Sequence, residues 1–530
     1  MRILFCLLGG MLLLNAGGAS PFESEKISLS PNSEINRILK QGWKEHMLPE
    51  AKRCSDAVFL RRACLTVAGR LPDLEEARAF LKDTSKDKRS RLIDRLLASE
   101  EFADLLTMRF ADMLRIKSEF PINLWPNAVQ LWHRRIRSDL LAGRSYRDMA
   151  REMLTASGSN FRVPHANFFR ASADRSPEGL AKIAAQTFLG IRLEDLSPEQ
   201  RKEFAAFFSR IRYKSTDEWK EEILFCDPVP AIVNACTING EHFTIRSPEQ
   251  DPRTVFADWL LKEDNPYFAR AAVNRAWFWI FGRGILADPD RMPLVPGFWD
   301  RVTGWIGGNA AEAEEPFQRE LLALLEKEFR ASRYNFRELY RVILNSDAFQ
   351  ASSIGPETSA ERFAVYPVRR LEAEILVDAL ASVSDGYDSY MSVIPEPFTF
   401  LPKKTRTVTI ADGSISTGVL DYFGRPPRDS GLLKERNNAV TEAQRLYLMN
   451  SGTLYGRLSA LPWKLFKNKK LNDDQRMEEL YLFLLSRYPT AEERKKIYEY
   501  QRSFAPRERY RVWPDLAWVL VNSKEFLYYH

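Results

Sequence analysis

The sequence contains few cysteines and few histidines. Five of each are spread over 530 residues, and no two cysteines stand at C-x-x-C spacing. That absence excludes zinc ribbons, thioredoxin-type redox chemistry and covalent attachment of c-type haem. The histidines show no ligand spacing, so the sequence predicts no metal site and no cofactor, although a metal site assembled from distant segments stays open.

The sequence also lacks an excess of charge of one sign. Lysine and arginine total 77 against 71 acidic residues, which leaves a net charge of +6. Nucleic-acid-binding proteins have a much stronger basic bias, so we expect no nucleic-acid partner.

The common catalytic motifs are missing as well. There is no H-E-x-x-H, G-x-S-x-G, P-loop or EF-hand pattern. The segment 282–287 matches G-x-G-x-x-A, but it follows a helical pattern instead of a strand and precedes Asp288-Pro289. We interpret it as the end of a helix followed by a turn, and the sequence offers no catalytic constellation.

The N-terminus has the pattern of a secretory signal peptide. Arg2 precedes an apolar run over residues 3–14 and a small-residue zone over 15–20. We predict cleavage after Ala19, with residues 1–19 removed and the protein periplasmic or extracellular. An uncleaved anchor is the alternative, but the run is shorter than the ~20 residues a spanning helix needs, and no later segment is long and apolar enough.

Four cysteines remain after cleavage. Cys54 and Cys64 fall in a helical stretch and are interpreted as buried free thiols. Cys226 and Cys236 bracket Asp-Pro-Val-Pro, so the chain can turn back between them. A disulfide between Cys226 and Cys236 is one prediction, and two free thiols are the alternative.

The remaining pattern predicts a mainly α fold in an ordered, multidomain chain. Hydrophobic residues make up 45% and aromatics 12% of the sequence. We predict an N-terminal helical domain over 27–212, a β-hairpin connector over 213–250 with its turn at Asn239-Gly240, and a C-terminal helical domain over 251–530. A second hairpin is predicted within a long loop over 394–438.

Helix signals recur at three places. The pattern of a helix end, a capping serine and a phenylalanine three residues later occurs at Ser99, Ser346 and Ser523. Asn265-Pro266 predicts the start of another helix, which ends at Gly282.

Two groups of residues are candidates for ligand binding. Arg270, Asn274 and Trp277 stand at i, i+4 and i+7 of the helix after Asn265, with Arg275 beside them. Arg425 and Arg428 stand on a stiff Pro-Pro turn over 422–429. A buried polar network is the alternative interpretation of the first group.

Several segments together resemble two families, the domains of unknown function 1549 and 1553 of exported, cytochrome-associated proteins in planctomycete-type bacteria. Residues 59–72 and 91–102 resemble the first family. Segments resembling the second are 265–270, 273–277, 281–284, 369–374, 423–428 (F-G-R-P-P-R) and 520–526. The resemblance implies an exported, mostly helical protein with no assigned activity.

One departure from the resemblance concerns haem. In many relatives a C-x-x-C-H element follows the segment that corresponds to residues 188–194, whereas this chain has Asp195 to Lys202, without cysteine or histidine. Covalent haem needs two thiols and a histidine, so we expect no haem here.

These observations lead to three hypotheses. The first is a non-enzymatic exported module that binds another exported protein or an extracellular polymer. The second is a hydrolase-like or carbohydrate-processing enzyme built on remote carboxylates near Arg270 and Arg425. The third is an electron-transfer-associated protein that has lost its haem element.

Overall fold

The computed structural model describes residues 20–24, 33–49, 52–294, 315–384, 386–394, 399–467 and 470–530. Within these residues it contains 24 α-helices and four small antiparallel sheets. This confirms the predicted mainly α fold class. The predicted signal peptide lies outside the described residues.

Helices dominate the N-terminal part of the chain. They are α1 (Glu34–Glu45), α2 (Asp56–Ala63), α3 (Leu74–Lys82), α4 (Lys88–Leu97), α5 (Glu100–Met113), α6 (Pro126–Leu141), α7 (Tyr146–Thr155), α8 (Asn167–Arg170), α9 (Pro177–Ala184) and α10 (Pro198–Ala205). Helix α9 continues into a π-helical turn, Ala185–Leu189, which ends at Gly190.

The strands are short and pair locally. They are β1 (Glu23–Ser24), β2 (Arg53–Cys54), β3 (Gly158–Ser159), β4 (Ile211–Ser215), β5 (Glu222–Cys226), β6 (Val233–Cys236), β7 (His242–Ile245), β8 (Arg369–Arg370) and β9 (Tyr528–Tyr529). The strands β6 and β7 form an antiparallel hairpin as predicted, but its loop, residues 238–240, is one residue longer than the predicted Asn239-Gly240 turn. The three-stranded sheet β3-β5-β4 beside it was not predicted.

Helices dominate again after residue 251. They are α11 (Pro252–Leu260), α12 (Phe268–Phe281), α13 (Pro316–Ala331), α14 (Phe336–Leu344), α15 (Asp347–Gln350), α16 (Glu357–Glu361), α17 (Ala373–Ser384), α18 (Gly418–Tyr422), α19 (Glu442–Asn450), α20 (Gly452–Phe466), α21 (Asp473–Leu485), α22 (Ala491–Arg502), α23 (Val512–Val521) and α24 (Lys524–Leu527).

The three predicted serine caps and the predicted helix end at Gly282 are confirmed, whereas the helix predicted from Asn265-Pro266 begins later, at Phe268. The Ser99, Ser346 and Ser523 side chains each accept the backbone N–H of the phenylalanine three residues later. Asn265 Oδ1 accepts the N–H of Phe268, the first residue of α12, and Gly282 ends that helix with φ +76°. Local side-chain chemistry therefore fixes these helix ends.

The two predicted helical regions share one hydrophobic core. Aromatic rings cross between them: Phe110 of α5 packs 6.0 Å from Trp279 of α12, and Tyr146 of α7 stacks on Phe268 at 5.0 Å between ring centroids. Such contacts bury large apolar areas, so packing between the regions contributes to the stability of both.

The predicted second hairpin is wrong for the described part of the loop over 394–438. Thr407–Thr409 form a turn of 3-10 helix, because the Asp378 carboxylate on α17 accepts the backbone N–H groups of Thr407 and Val408. The Asp412 carboxylate similarly accepts the N–H groups of Ser118 and Ser414. These amides are therefore not available for pairing with a second strand.

The predicted disulfide is not formed in the structure. Cys226 and Cys236 end strands of different sheets, and both are free thiols, as are the buried Cys54 and Cys64. Cys226 interacts with Asp251, whereas Cys236 faces Glu203 and His242.

Among the helices of the described ranges, none has the length and apolar character required to cross a membrane.

The Ser523 cap gives a stability prediction. Ser523→Ala removes the acceptor of the Phe526 N–H, and we expect a loss of about 1 kcal/mol in the free energy of unfolding. Urea denaturation measures it, with exposed Lys524→Ala as the neighbouring control that leaves the cap intact. Equal losses for both variants would contradict the capping role.

Candidate functional site

Three of the predicted binding residues on α12 lie inside the protein. Asn274 is fully buried; its amide oxygen accepts the Leu286 N–H at 3.0 Å, and its Nδ2 donates to the Leu286 carbonyl at 3.4 Å. Trp277 is fully buried against Phe281 and Phe363. Asn274 thus holds the loop after α12, and Trp277 is a core residue.

Arg275 is also buried, and it donates hydrogen bonds to carbonyl groups at the end of a helix. Its guanidinium donates to the carbonyls of Gln186 and Thr187, at 3.1 and 2.9 Å, in the π-helical turn after α9. Helix ends leave carbonyl groups without intrahelical partners, and a cation stabilises them. Arg270, the fourth residue predicted on α12, is half-buried.

Arg425 and Arg428 form the centre of a buried ionic cluster. We define the arginine cluster as Arg425, Arg428, Arg436, Asp112 and Glu374. Asp112 accepts from Arg428 Nε at 2.8 Å and from Arg436 at 2.6 Å. Glu374 accepts from Arg436 at 3.1 Å and lies 3.4 Å from Arg425 Nε. The cluster joins α5 and α17 to the loop that follows α18.

The remaining donors of the two predicted arginines bind backbone carbonyls. Arg425 donates to the carbonyls of Asp412 and Ile415, and Arg428 donates to those of Ala411 and Ile116. Arg428 is only 1% exposed. Because these donors are used inside the protein, both arginines act first as internal ties for the loop.

The loop geometry depends on a glycine. Gly424 takes φ +82°, and a Cβ at that position would lie 1.7 Å from the Asn437 carbonyl oxygen. Only glycine permits this close approach, which brings Arg425 and Arg436 to the same carboxylate.

The electrostatics of the cluster favour the charged carboxylates. Burial by itself would raise the pKa of Asp112, but Arg436 and Arg428 outweigh it and hold that pKa below its usual range. Burial would likewise raise the pKa of Glu374, but Arg436 outweighs it, so this pKa is also lowered. The carboxylates are therefore counter-ions of the arginines and not proton donors.

A second buried group adjoins the cluster. Glu372 accepts from Arg109 at 2.7 Å, from Arg369 at 2.8 Å and from the Tyr529 hydroxyl at 2.5 Å. Arg369 and Tyr529 lie opposite each other in the β8–β9 pair. These bonds tie the last strand to α5.

An open cleft of about 410 Å³ lies over the predicted loop. Its lining includes Tyr422, Arg425, Glu435, Asn437 and Gln444. The polar groups are already engaged: Glu435 accepts the N–H groups of Asp429 and Gly431, and Gln444 donates to the carbonyls of Tyr422 and Ala439. The cleft can admit a small ligand but offers few unused donors.

A second cleft of about 450 Å³ lies beside residues 191–195, at the start of the segment that was compared with a haem element in the sequence. Its charged lining residues are Lys182, Arg192, Glu194, Asp195 and Arg291, and no cysteine or histidine lines it. The segment itself folds as a 3-10 turn, Leu193–Asp195, followed by α10 with its Ser197–Gln200 capping box. These residues do not fit covalently attached haem.

A pair of tryptophans, not singled out from the sequence, forms an exposed surface. Trp219 is 71% exposed and meets Trp125 edge to face at 6.5 Å between ring centroids. The Lys220 ammonium lies 5.4 Å from the Trp125 ring and 5.1 Å from the Trp219 ring. We call Trp125, Trp219 and Lys220 the tryptophan platform. The run Asp217 to Lys220 could have indicated it, because a tryptophan among charged residues has no core to join.

Arg428 gives the first prediction for these residues. Arg428→Met leaves the carbonyls of Ala411 and Ile116 without this donor and removes one of the cations on Asp112. We expect a loss of about 3–5 kcal/mol in the free energy of unfolding, measured by urea denaturation. Arg445 is exposed, and Arg445→Met should change the free energy of unfolding by less than about 0.5 kcal/mol. Equal effects of the two variants would contradict a structural role of Arg428.

Asp378 gives a pH prediction. Burial raises the pKa of Asp378 to about 6 despite the nearby Arg406 and its hydrogen bonds. The pKa of Asp378 is higher in the folded than in the unfolded state. Its contribution to the free energy of unfolding is therefore fully present below about pH 4 and is lost as the pH rises through 6. The free energy of unfolding of the wild type should fall by up to about 3 kcal/mol between pH 4 and 7, relative to that of Asp378→Asn. Urea denaturation at each pH measures both values. A constant difference would contradict it.

Comparison with known protein families matches two regions of the chain. Residues 34–210 match PSCyt2, a family described as a protein of unknown function (DUF1549). Residues 252–293 and 308–501 match PSD1, described as a protein of unknown function (DUF1553). No curated protein and no solved structure matches the chain. The predicted resemblance is confirmed: the N-terminal region of the chain matches the PSCyt2 family, and the C-terminal region matches the PSD1 family.

Proposed function

We propose that the protein is an exported, non-enzymatic binding module that holds an extracellular polymer, of polysaccharide type, on the tryptophan platform. The observation that carries the proposal is the 71% exposure of Trp219 beside Trp125, with a lysine over both rings. Export follows from the signal-peptide pattern of residues 1–19.

The backbone of the platform supports a binding role. Trp125 has φ +70° and Lys220 has φ +62°, in a region that costs a bulky side chain free energy. Surrounding bonds maintain it: the Trp125 N–H donates to the Ser118 carbonyl at 3.3 Å, and Asn160 Nδ2 donates to the Lys220 carbonyl at 3.2 Å. Strain of this kind concentrates at ligand sites, where it pre-positions a side chain.

The size and surroundings of the platform favour a sugar polymer over a protein partner. An indole ring matches the apolar C–H face of one pyranose ring, and the neighbouring charged groups of Asp217, Glu218 and Lys220 can bind its hydroxyls. A stable protein interface needs about 800 Å² on each partner. An aromatic pair bordered by exposed charges does not provide a patch of that kind.

The arginine cluster has a different role in this proposal. Its guanidinium groups bind carboxylates and carbonyls of α5, α17 and the connecting loop, so it fixes the scaffold beneath the surface. The same engagement gives no support to the hydrolase alternative, which needed Arg425 and Arg428 to face a substrate beside an available carboxylate.

Co-sedimentation with insoluble polysaccharides tests the proposal. The mature protein is mixed with peptidoglycan sacculi, chitin or cellulose, and with soluble alginate in an affinity gel. We expect binding to at least one polymer, and a loss of about tenfold in affinity for Trp219→Ala, which removes the exposed stacking surface. Tryptophan fluorescence should change on binding in the wild type and less in the variant.

A matched control lies elsewhere on the surface. Trp463 is 47% exposed and pairs with Tyr510 at 6.0 Å, so Trp463→Ala removes an equivalent aromatic group away from the platform. This variant should bind like the wild type. Equal losses in both variants, or no binding to any of the polymers, would overturn the proposal.

A further inference from the structure

Three side chains with metal-ligand chemistry meet next to the connector hairpin. They are Glu203 at the end of α10, Cys236 at the end of β6 and His242 at the start of β7. One ligand atom from each lies within 4.8 Å of the other two, and Cys236 Sγ lies 3.8 Å from His242 Nε2. The thiol and the imidazole are six positions apart on the hairpin, whereas the carboxylate comes from α10, more than thirty positions earlier in the chain.

The hairpin register places the cysteine and the histidine side by side. Cys236 and His242 are direct cross-strand partners, and such partners have Cβ atoms about 5 Å apart. The turn between them is closely bonded: Thr237 N–H donates to the Glu241 carbonyl, and Gly240 N–H donates to the Thr237 carbonyl, both at 3.0 Å. The Thr237 hydroxyl also accepts the Glu241 N–H at 3.0 Å. The pair is thus positioned before any ligand binds.

Packing of α10 brings the third group into place. Phe204, next to Glu203, is buried and lies 5.5 Å from Phe256 between ring centroids, while Phe207 just after the helix lies 5.8 Å from Phe243 of β7. Lys262 pairs with Glu241 at 3.0 Å and ties the hairpin turn to the end of α11. The site therefore rests on rigid elements, which a metal site requires.

The Glu203 carboxylate gives the cluster a negative group that a cation would stabilise. A bound divalent ion also favours the thiolate form of a cysteine ligand, because it stabilises the negative charge directly. Cys236 is buried, whereas Glu203 and His242 are exposed, so one side of the cluster faces solvent.

We propose that Glu203, Cys236 and His242 bind a zinc-class divalent cation, with the fourth coordination position open to solvent. Tetrahedral zinc has bonds of about 2.3 Å to sulfur and about 2.0 Å to nitrogen, which puts those two ligand atoms about 3.5 Å apart. The observed 3.8 Å needs only a small closure. The soft thiolate and the imidazole favour zinc, cobalt or copper over magnesium and calcium, which bind oxygen ligands.

The site and the predicted disulfide exclude each other. A bond from Cys236 to Cys226 would remove the thiolate ligand, and its formation would also require the Cys226 sulfur to leave Asp251. The state of Cys236 therefore decides between a metal site and a covalent link in the connector.

Cobalt titration of the mature, reduced and metal-free protein tests the proposal. We expect one equivalent of Co²⁺ to bind with a thiolate-to-cobalt charge-transfer band and the intense visible bands of a tetrahedral ion. Zn²⁺ should displace it, and elemental analysis after dialysis should find one zinc per chain. Zinc should also raise the Tm of the wild type.

Variants identify the ligands. Cys236→Ser should abolish the charge-transfer band and the zinc-dependent rise in Tm, and His242→Gln and Glu203→Gln should weaken binding by about tenfold or more. Cys226→Ser is the matched control, because it removes the other thiol of the connector, and it should bind cobalt like the wild type. Circular dichroism of the metal-free variants confirms that each one folds, and Cys236→Ala replaces Cys236→Ser if the serine variant does not.

Three outcomes would overturn the proposal. One is the absence of a thiolate-to-cobalt band in the folded wild type. Another is an equal loss of cobalt binding in Cys226→Ser and Cys236→Ser. The third is a Cys226–Cys236 disulfide, found by peptide mapping of the exported protein purified without reductant.

Discussion

The pairing of buried guanidinium groups with the carboxylates of Asp112 and Glu374 is the constraint on which the central part of the structure depends. Charges taken out of water are costly unless they meet partners of opposite sign and fill their remaining hydrogen bonds. Here the arginines satisfy both conditions, because they bind the carboxylates and the backbone carbonyls of the same loop. A long segment with little regular secondary structure thereby holds a defined conformation between α5 and α17.

Features determined by nearby residues were predictable from the sequence. The end of α12 at Gly282, and the caps at Ser346 and Ser523, depend on bonds within a few residues. The mainly α class and the connector hairpin likewise follow from periodicity and turn chemistry. The predicted second hairpin failed because two carboxylates take amides that it needed: the distant Asp378 accepts the Thr407 N–H, and Asp412, within the predicted hairpin, accepts the Ser414 N–H.

Contacts between distant segments were not predictable. Asp112 and Arg428 are 316 positions apart, and nothing in the neighbourhood of either residue indicates the other. The hairpin register was equally hidden: a two-residue Asn239-Gly240 turn would set Cys236 opposite Phe243. In the structure Gly240, with φ +83°, is the last residue of a three-residue loop, and that shift of one position puts Cys236 opposite His242. Composition suggested no metal site because Glu203 and this pair meet only in the folded chain.

The arginine cluster also couples the two family regions. Asp112 belongs to the PSCyt2 match, whereas Glu374, Arg425, Arg428 and Arg436 belong to the PSD1 match. A fragment that ended between them would leave Asp112 without Arg428 and Arg436 on one side of the cut, and three arginines with only Glu374 of the cluster's carboxylates on the other. Each region therefore contributes charged partners to the other, although the two regions match separate families.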